Sequence, residues 1–379
     1  MSSKYPAVFA RGGTSKALIF HRRDLPSDRA QWDALFLSAM GSPDPYGRQL
    51  DGMGGGVSSL SKICIVGPAT RDDADVDYTF AQVQIKEATV DYAGNCGNMS
   101  SAIGPFAVDE GLVDALDGEC AVRIHNTNTA KIIRSTFRVE HGLAVSSGDL
   151  VIPGVAGAGA PVCLDFLDPG GASTGRLLPT GEVCQGLQVP GVGAVEVSMI
   201  DAANACVFVD ASALGLDGVE LPDALEGRHE LLARVDAIRV AASLAMGLAA
   251  SVEEARSRKL IPFIGMVASP RDSRTLAGDL IAADGADLVV RMFSNGQPHR
   301  ALPLTGALCT AVATQIEGSL PHRAARAQRR TGGGSLRLAM PSGVIVVDAT
   351  VSHREDGWYA SHGSFYRTTR RLFEGFVHT

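Results

Sequence analysis

The chain has no apolar run approaching the roughly 20 residues that a membrane-spanning helix needs, so no membrane association is expected. Its opening residues, Met-Ser-Ser-Lys-Tyr-Pro, lack the apolar core of a secretion signal, which reads as a cytoplasmic protein. No CxxC pair occurs, and the seven cysteines (Cys64, Cys96, Cys120, Cys163, Cys184, Cys206 and Cys309) are an odd number in a long chain. That pattern argues against a disulfide framework. The nine histidines do not fall at metal-ligand spacing, so neither structural zinc nor another metal is expected. There is no long basic run, and the formal net charge is −7, which speaks against nucleic acid as a partner. The densest basic cluster, Arg323, Arg326, Arg329 and Arg330 beside Gly332, Gly333 and Gly334, reads as a solvated surface segment.

What is present is a globular composition, 45% hydrophobic and 20% charged, in 379 residues. This length suffices for two domains of ordinary size, each with its own core. Short β-rich runs bounded by Gly, Pro or Asp fall at 17–20, 62–66, 78–85 and 343–347. Helices are expected over 30–40, 97–112 and 227–249, the second kinking or beginning again at Gly104-Pro105. A Gly- and Pro-rich stretch over 150–190 suggests a change of domain near 187, giving domains 1–187 and 188–379.

The two halves resemble each other. Residues 17–20 (Ala-Leu-Ile-Phe) match 205–208 (Ala-Cys-Val-Phe), 65–68 match 266–270, and 96–102 match 305–311, at offsets of 188, about 201 and 209. The order is conserved along the chain, as expected of a duplicated β-rich unit with one small-residue helix at its centre. Two helix N-termini would then border a cleft between the domains, an arrangement suited to a small polyanion.

Residues 94–102 (Gly-Asn-Cys-Gly-Asn-Met-Ser-Ser-Ala) place Cys96 at the start of a helix. The positive end of the helix dipole favours thiolate there, and the first-turn amides of Gly97 and Asn98 suit a carboxylate. Residues 51–62 combine the glycine run Gly54, Gly55 and Gly56 with Ser58 and then Lys62 at the mouth of an apolar strand. Glycines permit close backbone approach to a ligand, and burial would make a lysine a usable base; a solvated strand-end lysine is the alternative. Arg11, in Arg-Gly-Gly-Thr-Ser-Lys, fits an anion-binding turn or a plain solvated one. In the second half, Asn204, Cys206, His299 and Arg300 open elements, and Arg300 precedes Thr305-Gly306 by five residues, within reach of a ligand at that helix start. Surface exposure is the competing reading for these four.

The motifs Arg11 to Lys16, Gly41-Ser42-Pro43-Asp44-Pro45, Asp51 to Gly55, Ser61-Lys62, Asp75 to Tyr78, Asn95-Cys96-Gly97-Asn98, Gly104 to Ala107, Asn126 to Thr129 and Leu304 to Ala307 together resemble the PrpF family over nearly the whole chain. The resemblance implies an α+β, diaminopimelate-epimerase-like fold: two pseudo-symmetric domains, each a mixed β-barrel around a central helix, the last strand able to return to the first domain. It implies cofactor-independent isomerisation of a small unsaturated di- or tricarboxylic acid such as 2-methylaconitate or aconitate. A methylitaconate Δ-isomerase, a 4-oxalomesaconate-type tautomerase and a non-catalytic accessory of a dehydratase are the alternatives. Lys62 and Cys96 match the family's catalytic lysine and cysteine. Arg11, Gly54, Gly55, Gly56, Ser58, Gly97, Asn98, Arg300, Thr305 and Gly306 are the expected substrate contacts. Epimerases of this fold use one cysteine per domain, whereas Thr305 stands at the second position here, and Cys309, further along, reads as structural. A homodimer is left open by the sequence.

Overall fold

The computed structural model describes residues 3–325 and 335–379. Arg326, Arg329, Arg330 and the glycines 332–334 of the basic cluster lie outside the described residues; Arg323 pairs with Glu196 at 2.8 Å. No helix among the described residues is long and apolar enough to cross a membrane. The chain forms two compact units, Met1–Asp165 with Tyr366–Thr379, and Phe166–Phe365.

In the first unit, β1 (Lys4–Gly12) and β2 (Ser15–His21) form an antiparallel hairpin. After α1 (Trp32–Met40), β3 (Lys62–Pro68) pairs parallel to β2, with Ala17 opposite Lys62. Next, β4 (Val76–Val83) lies antiparallel to β3, with Lys62 opposite Gln82. Helix α2 (Gly97–Asp109) then leads to β5 (Gly118–Asn126), parallel to β4, and β6 (Lys131–Glu140) closes a second hairpin.

Helix α1 ends at Gly41, whose φ of 71° lets its N–H reach the carbonyls of Leu37 and Ser38. Its inner face packs Trp32, Leu35 and Phe36 onto Leu18, Phe20, Ile63 and Ile65 of β2 and β3. Helix α2 runs through Pro105 as one element rather than breaking there. Every residue from Gly97 to Val108 is buried, so packing on all sides holds the turn whose hydrogen bond proline removes. The small residues are what permit that burial: a Cβ on Gly104 would stand 2.6 Å from Ser135 Oγ of β6.

The second unit repeats the sequence of pairings. An antiparallel pair, β7 (Gly193–Ala202) and β8 (Asn204–Asp210), comes first. Helix α3 (His229–Ala245) follows, then β9 (Phe263–Ala268) parallel to β8 and β10 (Leu288–Ser294) antiparallel to β9. Helix α4 (Leu304–Thr314) leads to β11 (Leu336–Met340), parallel to β10, and β12 (Gly343–Arg354) completes the set. Leu231, Val235, Ile238 and Ala242 of α3 seal its core against β7 to β10. Strand β13 (Thr369–His378) then lies antiparallel to β1 in the first unit.

The boundary expected at 187 falls instead at 165. The Gly- and Pro-rich stretch is not one linker: Val162–Leu167 and Gln185–Val189 are strands within it, and the latter pairs with β7 of the second unit. Composition marked the turns, while strand pairing decides which unit each piece joins.

Candidate active site

Lys62 opens β3 and is 8% exposed. Its Nζ donates to Oε1 of Gln82, its cross-strand neighbour, at 2.7 Å, and lies 4.8 Å from the centroid of the Phe80 ring. Both partners are uncharged. The amide nitrogen of Gln82 donates to the carbonyls of Ser58, Ser61 and Val83, so the side chain is fixed with its oxygen toward the lysine.

Cys96 is the N-cap residue of α2, also 8% exposed, with Sγ 4.0 Å from Ser15 Oγ. Its carbonyl accepts from Ser100 N–H, and the first-turn amides beyond it have no intrahelical acceptor. Cys64 lies on β3, two residues after Lys62. Burial pushes its thiol up, Cys96 adds to that rise and Lys62 opposes it. Tyr78 is raised by burial, with smaller contributions from Cys64 and Cys96. Cys64 and Tyr78 therefore stay protonated at neutral pH.

Asn98 is locked against the β1–β2 turn. Its Oδ1 accepts from Thr14 N–H at 3.5 Å and from Arg367 Nε at 3.2 Å, and its Nδ2 donates to Thr14 Oγ1 at 3.1 Å. Gly13, with φ +50°, is what allows this: a Cβ there would stand 2.2 Å from Asn98 Oδ1. Arg367 is buried, and desolvation lowers its pKa to about 10, so it still carries its charge at neutral pH. Arg11 is half buried; its Nη1 donates to the carbonyls of Gly13 and Thr368, both at 2.9 Å, and burial together with Arg370 lowers its pKa.

Three expected contacts, Gly54, Gly56 and Arg300, have other work. The glycine run wraps a buried glutamine: a Cβ on Gly54 would stand 2.3 Å from the Gln49 amide, and Gly56 N–H donates to Gln49 Oε1 at 2.9 Å. Gly54 N–H donates to Met40 O. These amides are spent inside the protein; close approach to Gln49 explains the missing side chain at Gly54, and a φ of +72° with Gly47 O 2.4 Å from where a Cβ would stand explains it at Gly56. Gly55 has its own crowded neighbour in Leu60. Ser58 is buried on the short 3-10 turn before Lys62. Arg300 points to the surface of the second unit, where it pairs with Asp223 at 3.0 Å and Glu226 at 2.9 Å.

The second unit has no proton-handling pair at the matching positions. Phe263 opens β9 as Lys62 opens β3, opposite Cys206 as Lys62 is opposite Ala17. Ser15 meets Cys96 in the first unit, while Asn204 Nδ2 donates to Thr305 Oγ1 at 2.9 Å in the second. Helix α4 begins at Leu304, so Thr305 and Gly306 sit inside its first turn, and a Cβ on Gly306 would collide with Met292 Sδ at 2.2 Å. Cys309 is fully buried and donates to Ile200 O at 3.3 Å.

Gln82, Phe80, Gln49, Ser15 and Arg367 escaped the sequence reading. Gln82 carried a signal, a polar residue inside an otherwise apolar strand, but its meaning depends on register with Lys62. Arg367 carried none, because its contact with Asn98 spans 269 positions.

The PrpF protein model matches residues 2–379. A 3-methylitaconate isomerase from Eubacterium barkeri is 41% identical over 99% of this chain and 97% of its own length. A 2-methyl-aconitate isomerase from Shewanella oneidensis is 38% identical over 99% and 96%. A (4E)-oxalomesaconate Delta-isomerase from a Novosphingobium species is 36% identical over 98% and 96%. A crystal structure of methylitaconate-delta-isomerase, 40% identical, covers 100% of this chain and 96% of its own, with a TM-score of 0.78. The fold also extends to a hydroxyproline epimerase from Agrobacterium vitis at 11% identity, with a TM-score of 0.57 over 99% and 92%. The α+β, epimerase-like architecture is thus shared well beyond sequence similarity, and the chain itself belongs to the PrpF family of isomerases.

Proposed function

We propose that this chain isomerises an unsaturated tricarboxylic acid of the 2-methylaconitate or aconitate type by moving one allylic proton, with Lys62 and Cys96 as the proton-handling pair. The observation that supports it most is the asymmetric pair itself: a buried lysine held by neutral partners at the start of β3 and a buried helix-capping cysteine in the same unit. An allylic C–H beside a conjugated carboxylate is acidic only relative to ordinary C–H bonds. Removing that proton gives a dienolate whose charge spreads onto carboxylate oxygen, so fixed donors and a base within about 3 Å are required. In this reading neutral Lys62 takes the proton from one carbon. The electron pair shifts along the conjugated system, and Lys62 or Cys96 returns a proton two carbons away. The α2 first-turn amides at Gly97 and Asn98, with the positive charge of Arg367 behind Asn98 and Arg11 bracing the turn, would hold the carboxylates. Ser58, beside the lysine, remains a candidate contact, whereas Gly54, Gly56 and Arg300 are already committed elsewhere.

Incubating the protein with 2-methylaconitate, cis-aconitate, trans-aconitate and 3-methylitaconate in D2O, followed by proton NMR, tests the substrate class. Transposition of the double bond with exchange at the allylic carbon is expected for at least one acid; inertness toward all four would overturn it. Similarity to the oxalomesaconate isomerase favours a second reading, keto–enol or allylic conversion of 4-oxalomesaconate at the same site. An ultraviolet assay with that acid separates the two.

A further inference from the structure

We infer that Gln82 is a positioning residue for the reaction, fixing the direction of Lys62 Nζ. The inference rests on the proposed role of Lys62 as the proton-transfer group.

Gln82 is 1% exposed and directly opposite Lys62 across the β3–β4 pair. Its Nε2 points at three backbone carbonyls, those of Ser58 (3.1 Å), Ser61 (2.9 Å) and Val83 (3.3 Å). A flipped amide would set its oxygen against those carbonyls, so the oxygen is compelled to face Lys62 Nζ, at 2.7 Å. The same loop is tied down from its far side, where Ser61 Oγ donates to Gln49 Oε1 at 2.6 Å and to Val57 O at 2.9 Å. The lysine thus leans on a rigid, uncharged acceptor with the Phe80 ring face as its second neighbour. A carboxylate in place of Gln82 would bind the ammonium too well for it to act as a base. With an apolar residue instead, the four-carbon side chain would have several rotamers to choose from. An amide oxygen directs the nitrogen while adding no charge, which suits a group that must both take up and release a proton. In the second unit, where Phe263 replaces the lysine, no such demand exists.

Three variants test this: Gln82→Met, Gln82→Asn and Gln82→Glu, each checked for folding by circular dichroism and melting temperature. The chain has only six lysines, so Nζ signals from protein labelled with 15N-lysine can be assigned with Lys62→Ala. Removing or withdrawing the acceptor, in Gln82→Met or Gln82→Asn, is expected to lower kcat by about 10- to 100-fold with KM changed less than threefold. It should also displace the Lys62 Nζ signal in substrate-free protein while the other five stay in place. Gln82→Glu should retain the hydrogen bond but move the pH–rate profile to higher pH. A folded Gln82 variant with wild-type kcat and an unmoved Lys62 signal would overturn the inference. If Lys62→Ala kept full turnover while the Gln82 variants still displaced the Lys62 signal, the positioning would stand and the base role of Lys62 would fall instead.

Discussion

In the proposed reaction Cys96 and Lys62 move the proton, one from a helix start and one from among neutral partners. Replacing either by alanine should lower kcat/KM by roughly 10²- to 10⁴-fold, the usual contribution of a positioned acid or base, without changing the circular dichroism spectrum. Gly13 makes a different prediction. Its φ of +50° and the 2.2 Å approach of Asn98 Oδ1 leave no place for a methyl group. Gly13→Ala should destabilise the protein by about 1–3 kcal/mol and, by displacing Asn98, raise KM at least tenfold; steady-state kinetics with a melting curve measure both. Lys62 and Cys96 were legible because each stands inside a short distinctive motif. Gln82 and Arg367 were not, because their importance is created by pairing across strands and across nearly the whole chain. The glycine run was legible as unusual and misread in purpose, since a sequence does not say whether backbone crowds a ligand or a buried side chain such as Gln49.

At the scale of elements, the far end of α2 from Cys96 is tied to β13. Glu110, just past the helix, hydrogen-bonds with His21 at 3.1 Å and accepts from Arg371 of β13 at 2.7 Å. Burial alone would raise the Glu110 pKa, but the hydrogen bonds and charges of His21 and Arg371 together outweigh it and hold the carboxyl below its ordinary value. A carboxylate held low in the folded chain adds stability that is fully present above its unfolded pKa, about 4.3, and is lost as pH falls through the folded value. Glu110→Gln should therefore cost about 1 kcal/mol at pH 7. The gap between variant and wild type should narrow between roughly pH 5 and 3 in urea melts, and a constant gap would contradict the assignment. The helices themselves were close to their expected spans, α1 over 32–40 and α3 over 229–245, because caps and periodicity are local. Pro105 was expected to kink α2 or make it begin again; it does not begin again, because the burial that outweighs a proline's local cost is not visible in sequence.

Duplication organises the molecule as a whole: both units run through the same antiparallel, parallel, antiparallel, parallel, antiparallel series of pairings around a helix of small residues. The weak internal repeat in the sequence was enough to reveal this, since its three matches fall on equivalent elements. The boundary was not, because strand pairing and not composition assigns the pieces of residues 162–189 to their unit. Ending the chain at residue 368 should strip β1 of its β13 partner and leave the first unit unable to fold, read as loss of soluble protein or of the cooperative melt. The two copies differ at the proposed pair: the second keeps the scaffold and carries Phe263 and Thr305 where the first has Lys62 and Cys96. The most direct test is conversion of 2-methylaconitate in D2O by wild type, Lys62→Ala and Cys96→Ala, followed by proton NMR. The wild type should transpose the double bond and carry deuterium at the carbon that gains hydrogen, and both variants should lose transposition while remaining folded. Near-wild-type conversion by both variants would contradict the account.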